Sequence, residues 1–268
     1  MFLERKPTHL EKIVRKSWIP FILLLFMPPF LHAAEDYVGL LADVDALVSF
    51  KDTDLSAEYL IEKRDPGGAM STTLAAMFRR DRADQFLILI LEPPIDKGKG
   101  YLKQGDILWL YDPEDRTFTF TSAQERFQNS SARNSDFNRS NYSNDYKAVA
   151  GKREKLGKFE CVVLDLEATH NRVSFPKVRI WISEDKLVRK VEDYSLSGQL
   201  MRVTAIPTYQ RIGDRWIPLT MVIQDQLRAK KIGGKTEYER TTVTISKPSL
   251  KPLPDTVYTK EYLERVAK

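Results

Sequence analysis

The sequence predicts a mainly β chain with a few helices, an antiparallel α+β architecture that follows a targeting leader. Three observations carry this. From Glu58 onward apolar and polar residues alternate at a period of two, the spacing of a half-buried strand. Clusters such as Asp65-Pro66-Gly67-Gly68, Asp112-Pro113-Glu114-Asp115 and Gly233-Gly234 divide the alternating runs as hairpin turns. Consecutive hairpins make a meander, and a meander this long has to curl or close to protect its edges.

The leader comes first. Arg5, Lys6, Lys12, Arg15 and Lys16 precede an apolar stretch from Trp18 to Leu31, the pattern of a secretion signal. Pro20, Pro28 and Pro29 interrupt that stretch, which is shorter than the ~20 apolar residues of a spanning helix. Ala33 and Ala34 supply the small residues that signal peptidase accepts, so the expected signal peptide is 1–34, cleaved near Ala34. No cysteine stands at that junction to accept a lipid, and the mature chain, residues 35–268, is expected to be soluble and to form one domain. The leader takes five of the 42 basic and two of the 37 acidic side chains, which leaves a net charge of only +2 and no argument for nucleic acid. Cys161 is the one cysteine, so an apolar core rather than a disulfide has to hold the fold.

After the leader, Tyr37, Leu40, Leu41, Val44, Leu47 and Val48 recur at three- and four-residue steps and predict an amphipathic helix that packs on the sheet. Strands are expected over 58–64, 72–80 and 84–91. Phe86 to Leu91 is apolar at every position, as in a strand buried on both faces or set between core and cavity. A hairpin follows over 106–111 and 116–121, with Trp109 and Tyr111 on one face and Leu108 and Leu110 on the other. The stretch 122–147 breaks the pattern with Ser, Asn, Arg and Asp around isolated Phe127, Phe137, Tyr142 and Tyr146; it is too long for an ordinary connection, a length usual for functional or partly helical segments, and otherwise reads as a solvated loop, which is the favoured reading. Strands resume at 159–168, 177–183, 186–195, 199–210, 215–227 and 236–247, and a short helix over 260–266 ends the chain.

The residue types argue against catalysis. Only His170 remains after the leader to serve as a base near neutral pH. A Cys161/His170 pair fails on distance, because an extended strand through both sets them roughly 30 Å apart and on opposite faces. Cys161 shares its face with Phe159 and Val163 and reads as a buried thiol. One Cys and one His do not make a zinc site, Gly98, Gly100 and Gly105 do not match a phosphate cradle, and Glu114/Asp115 and Glu184/Asp185 sit in turns. No cofactor or metal is expected.

The run Glu92-Pro93-Pro94-Ile95-Asp96-Lys97-Gly98, then Tyr101-Leu102 and Gly105-Asp106-Ile107-Leu108-Trp109-Leu110-Tyr111-Asp112-Pro113, resembles the outer-membrane lipoprotein-sorting proteins related to LolA, LolB and RseB. Asn134-Ser135-Asp136-Phe137, Asp145-Tyr146, Ile217-Pro218 and the closing Thr259 to Leu263 extend the resemblance over nearly the whole mature chain. It implies an incomplete, unclosed antiparallel β-barrel of about eleven strands covered by helices, with an apolar cavity between. The implied activity is carriage of lipoprotein acyl chains, or of lipid, through the periplasm to the outer membrane. An inner-membrane export transporter and an outer-membrane acceptor are the implied partners. The alternative within the same resemblance is an RseB-like sensor or transporter-accessory protein that binds a protein partner.

For the cavity, alternate positions of neighbouring strands select Phe86, Ile88, Ile90, Ile107, Trp109 and Tyr111. Plain core packing accounts for each equally well, and the opposite parity, Leu87, Leu89, Leu91, Leu108 and Leu110, is an equal choice. For a docked partner, the loop offers Arg133, Asp136 and Phe137, with Arg126 and Arg139 beside them.

Overall fold

The computed structural model describes residues 36–267, so the expected leader and its cleavage point lie outside the described residues. Helix α1 (Tyr37–Leu47) is followed by β1 (Leu55–Arg64), β2 (Met70–Arg80), β3 (Gln85–Glu92), β4 (Gly100–Gln104), β5 (Ile107–Asp112) and β6 (Thr117–Phe120). The connection 121–145 carries 3-10 turns at Phe127–Asn129 and Asn134–Phe137 and the one-turn helix α2 (Tyr142–Asp145). Then come β7 (Tyr146–Leu156), β8 (Phe159–Ala168), β9 (Lys177–Ser183), β10 (Val188–Tyr194), β11 (Leu200–Ile212), β12 (Arg215–Ile232), β13 (Lys235–Ser249) and α3 (Lys260–Val266).

All of these strands join one antiparallel sheet in the order β6-β5-β4-β3-β2-β1-β13-β12-β11-β10-β9-β8-β7. The sheet is unclosed. Its edges, β6 and β7, are neighbours in sequence, whereas its centre is the pairing of the first strand with the last. The strand count is 13 rather than about eleven, and β4 and β7 are the two that the residue pattern did not announce.

Register defines two faces. Along the inner face Leu110 lies opposite Tyr101, Tyr101 opposite Ile88, Ile88 opposite Met77 and Met77 opposite Ala57. The same face continues through Tyr59 opposite Ile245, Thr241 opposite Ile223, Ile223 opposite Thr204, Thr204 opposite Val191, Val191 opposite Ile180 and Ile180 opposite Leu164. Helix α1, capped by Asp36 accepting from the Gly39 N–H at 2.9 Å, buries Leu41 and Val44 on the β8–β10 part of that face, against Leu164, Val178, Ile180 and Val191.

The outer face of β3–β5 is covered instead by α3. Its Leu263 packs among Leu87, Leu102 and Tyr111. Strand β3 is thereby buried on both sides, which explains its uninterrupted apolar run. Gly100 permits the contact, because a Cβ there would stand 2.5 Å from Leu263 Cδ1 and 3.1 Å from the Ile88 carbonyl oxygen. The arm that leads to α3 is tied down by Asp54, which is buried. Its two oxygens accept Arg80 Nε and an Arg80 terminal nitrogen, both at 2.9 Å, while Arg82 at 2.9 Å and the Leu253 N–H at 2.7 Å complete its shell. The Arg80 guanidinium lies 4.5 Å from the centre of the Tyr258 ring.

Candidate ligand cavity

The connection between β6 and β7 is not a solvated loop. It runs along the inner face and plugs the β1–β5 half of the unclosed barrel. Phe127, Ser130, Ser131, Ala132, Asn134 and Phe137 are all buried. Phe127 packs between Tyr101 and Phe137, its ring tilted to both with centroids 4.8 and 4.5 Å away, and Phe137 meets Tyr59 at 5.8 Å. An antiparallel bridge between Arg126 and Arg133 makes the plug a small hairpin.

Where the plug crosses β11–β13, the inner face changes from apolar to charged. Glu239, almost fully buried, accepts from Arg126, from Ser131 Oγ at 2.8 Å and from Arg228 at 3.1 Å. Arg126 also reaches Asp225 at 2.6 Å, and Thr241 Oγ1 accepts the Ser131 N–H at 2.8 Å. Arg202 donates to both oxygens of Asp136, at 2.6 and 2.9 Å, and to Asp193 at 2.7 Å. Burial pulls the Arg202 guanidinium down, but the two carboxylates outweigh it and raise it well above its ordinary value, so it stays charged. Burial pushes the Asp193 carboxyl above the usual range; Arg202 opposes this and the like charge of Asp136 adds to it. Arg133 and Arg202 each stand 4.8 Å from the Phe175 ring centre, and burial, with the charge of Arg202, lowers the Arg133 guanidinium.

Between the plug, α1 and the sheet lies a cavity of about 940 Å³. One part of its wall is apolar: Val44, Val48, Phe50, Tyr59, Leu108, Ile206, Trp216, Ile217, Met221, Ile223 and Ile245. The other part is polar, with Ser122, Asn134, Asp136, Asn138, Arg139, Arg202 and Thr204. Thr204 Oγ1, Asn134 Oδ1 and Asn138 Oδ1 are buried without a hydrogen-bond partner among the described residues. Asp45 of α1 fastens the far side of the plug, accepting from Ser140 Oγ at 2.6 Å, the Tyr142 N–H at 3.0 Å and the Ser143 N–H at 2.8 Å. The lining also includes the charged Arg79, Asp84, Lys103, Arg172 and Lys186, so the wall is apolar in part and polar in part. Among the described residues no group of His, Cys, Asp and Glu is placed to hold a metal ion.

A model of an uncharacterized-protein family matches residues 82–265. The chain belongs to that family. No curated protein matches it significantly. Among solved structures it is similar to a LolA superfamily protein from Nitrosomonas europaea, with a TM-score of 0.71 and 23% identity over 84% of this chain and 97% of the other. A Vibrio parahaemolyticus domain described as outer membrane lipoprotein-sorting gives a TM-score of 0.74 and 19% identity, covering 85% and 98% of the two chains. A DUF1329 family protein from Desulfovibrio piger gives 0.73 and 17%, covering 84% and 97%. The fold is LolA-like.

On this LolA-like frame the six residues expected at the cavity divide between the two faces. Phe86, Ile88 and Ile90 face inward but lie packed in the core around the plug. Trp109 and Tyr111 face outward with α3, since Trp109 lies opposite Leu102 and Leu102 opposite Leu87. Ile107 is exposed. None of the six lines the cavity, and on β5 it is Leu108 that does. Of the loop residues, Asp136 reaches the cavity wall, Phe137 is core and Arg133 is partly buried on Phe175. Sequence reasoning missed Ile206, Trp216, Ile217, Met221 and Ile223 as lining. The available signal was the alternate spacing of Ile217, Met221 and Ile223 along β12; Trp216 stands at the opposite parity, and the inward positions of β11 include the polar Arg202 and Thr204, which hid Ile206. Cys161 packs with Val163, Trp181 and Phe159 on the outer face, where burial pushes its thiol up and leaves it unreactive.

Proposed function

We propose that this chain is an exported periplasmic carrier, with 1–34 a signal peptide cleaved near Ala34 and 35–268 one LolA-like domain that takes the acyl chains of a lipoprotein, or of a lipid, into the cavity and delivers them to the outer membrane. The observation that carries this is the cavity of about 940 Å³ with an apolar wall on the inner face of an unclosed sheet. Its size falls within the roughly 300–1,000 Å³ of sites that enclose small ligands. Each methylene moved from water into such a wall gains ~0.8 kcal/mol, so acyl chains bind without polar specificity. The polar part of the wall, with Thr204, Asn138 and Arg139, is then the place of the head group. In this reading Phe86, Ile88 and Ile90 form the floor beneath the plug and support the cavity from behind. Binding and release, not bond-breaking, is the activity, and an inner-membrane donor and an outer-membrane acceptor are its partners.

The test is native mass spectrometry, with lipid extraction, of the protein purified gently from periplasm. A bound acylated species is the expected result. An apo mass together with failure to take up added lipopeptide would sink the carrier reading and leave a protein-binding sensor. Met221→Glu, which places a charge on the cavity wall, should reduce lipopeptide uptake at least tenfold, while Trp109→Ala on the outer face should leave uptake per folded molecule unchanged.

A further inference from the structure

The hairpin of β12 and β13 runs on past its neighbours. Strand β11 pairs with β12 only as far as Arg202 opposite Asp225, and β1 pairs with β13 only as far as Arg64 opposite Arg240. Beyond these points Ala229, Lys230, Lys231 and Ile232 pair with Tyr238, Glu237, Thr236 and Lys235 with no further ladder partner, a two-stranded ribbon about 13 Å long at ~3.3 Å per residue; the β1–β2 turn lies along one side of it, the Gly67 N–H donating to Glu237 at 3.0 Å. Gly233 and Gly234, with φ of +55° and +79°, close its tip as a two-residue turn.

The β12 side of the ribbon and its turn are one-sided in composition. From Gln226 to Lys235 there are four basic side chains and no acidic one. Arg228 turns back to Glu239, but among the described residues Lys230, Lys231 and Lys235 make no ion pair. Exposed Arg64 and Arg240 add to the charge at the ribbon's base, where Asp65 is paired with Lys63; Glu237, the one acid within the ribbon, lies opposite Lys230 and accepts the Gly67 N–H. Apolar side chains are interleaved with the lysines: Leu227 is 50% exposed, Ile232 37% and nearby Met70 66%. The net charge of the chain after its leader is small, so this is a local concentration of charge.

We infer that this ribbon is a docking element for an anionic phospholipid surface. Lysines along the exposed ribbon are drawn to lipid phosphates, and Ile232 beside its turn and Leu227 at its base then enter the head-group layer. A protein partner fits less well, because a specific protein interface needs about 800 Å² from each side, more than a convex tip of this length offers. The inference concerns the exterior of the molecule and does not depend on what the cavity holds.

The test uses the Leu227→Cys chain labelled with an environment-sensitive fluorophore; Cys161 is buried and escapes the label. Because the probe reports from the hairpin itself, membrane contact by any other segment does not register. Vesicles of phosphatidylglycerol and phosphatidylcholine should shift the emission to the blue, and phosphatidylcholine alone should not. In the same labelled chain Lys230→Gln, Lys231→Gln and Lys235→Gln together should weaken binding on the order of a hundredfold, at about fivefold per lysine, and salt should weaken it in the parent. The ribbon tip lies outside the core, so thermal unfolding should be the same for all these chains. Absence of a shift with anionic vesicles, an equal shift with neutral ones, or a shift indifferent to the three substitutions overturns the inference. So does a response to a soluble acidic polypeptide without any response to vesicles, which assigns the ribbon to a protein partner.

Discussion

Asp54 has no contact with water, and burial alone would push its carboxyl up. The Arg80 hydrogen bond, the Leu253 N–H and the charges of Arg80 and Arg82 outweigh burial and hold it below the ordinary carboxylate value. A carboxylate lowered by folding contributes stability that is complete above its unfolded value and is lost as pH falls through its folded one. Asp54→Asn is therefore expected to cost about 3 kcal/mol at neutral pH, because it leaves the buried Arg80 with only the exposed Asp255 as a charge partner. It should also flatten the acid limb of the stability curve. Urea titrations of parent and variant at neutral and strongly acidic pH measure both effects, and parallel curves would refute the assignment. The pairing itself was not legible in the sequence, since Asp54 and Arg80 fall in different strands or their flanks and nothing local marks either as buried.

The plug is the element whose structure differs most from its sequence. Its Ser, Asn, Arg and Asp content reads as solvated, yet those side chains bond to one another and to Glu239, Thr241 and Arg202 on the sheet, which is how polar residues become tolerable inside. If Phe127 and Phe137 are core, Phe127→Ala and Phe137→Ala should each cost about 3–5 kcal/mol in equilibrium unfolding. A solvated loop would lose less than about 0.5 kcal/mol at either position. Strands buried on one or both faces, such as β1, β3 and β9, were readable from alternation or from unbroken apolar runs. Strand β7 was not: Tyr146-Lys147-Ala148-Val149-Ala150-Gly151-Lys152-Arg153-Glu154-Lys155-Leu156 is an edge strand with mostly exposed side chains, so burial imprinted little pattern on it. Strand β4 is short and lies between turns. The cavity was legible in kind but not in place, because parity on β5 depends on the register of β4, and an unannounced strand supplies no register.

Across the whole molecule the sheet is strongest at its centre and weakest at its edges. Strand β1 has a neighbour on each side, β2 and β13, whereas β7 has only β8. Amide hydrogen exchange should therefore be slowest along β1 and β13, and fast at those β7 amides that do not face β8. Uniform protection across the sheet would show that something covers the β7 edge. The seam between β1 and β13 has a consequence for how the molecule comes into being. Tyr59 finds Ile245 only when almost all the chain between them is available, so the strand pairing that unites the two half-meanders is also the least local pairing in the sheet. A nascent chain holding β1 to β6 has local hairpins but an open strand edge at β1 and an unfilled inner face, the state in which β-rich chains aggregate. The central pairing of this sheet thus waits on its last strand, and loss of that strand would leave the middle of the sheet, rather than a margin, unpaired.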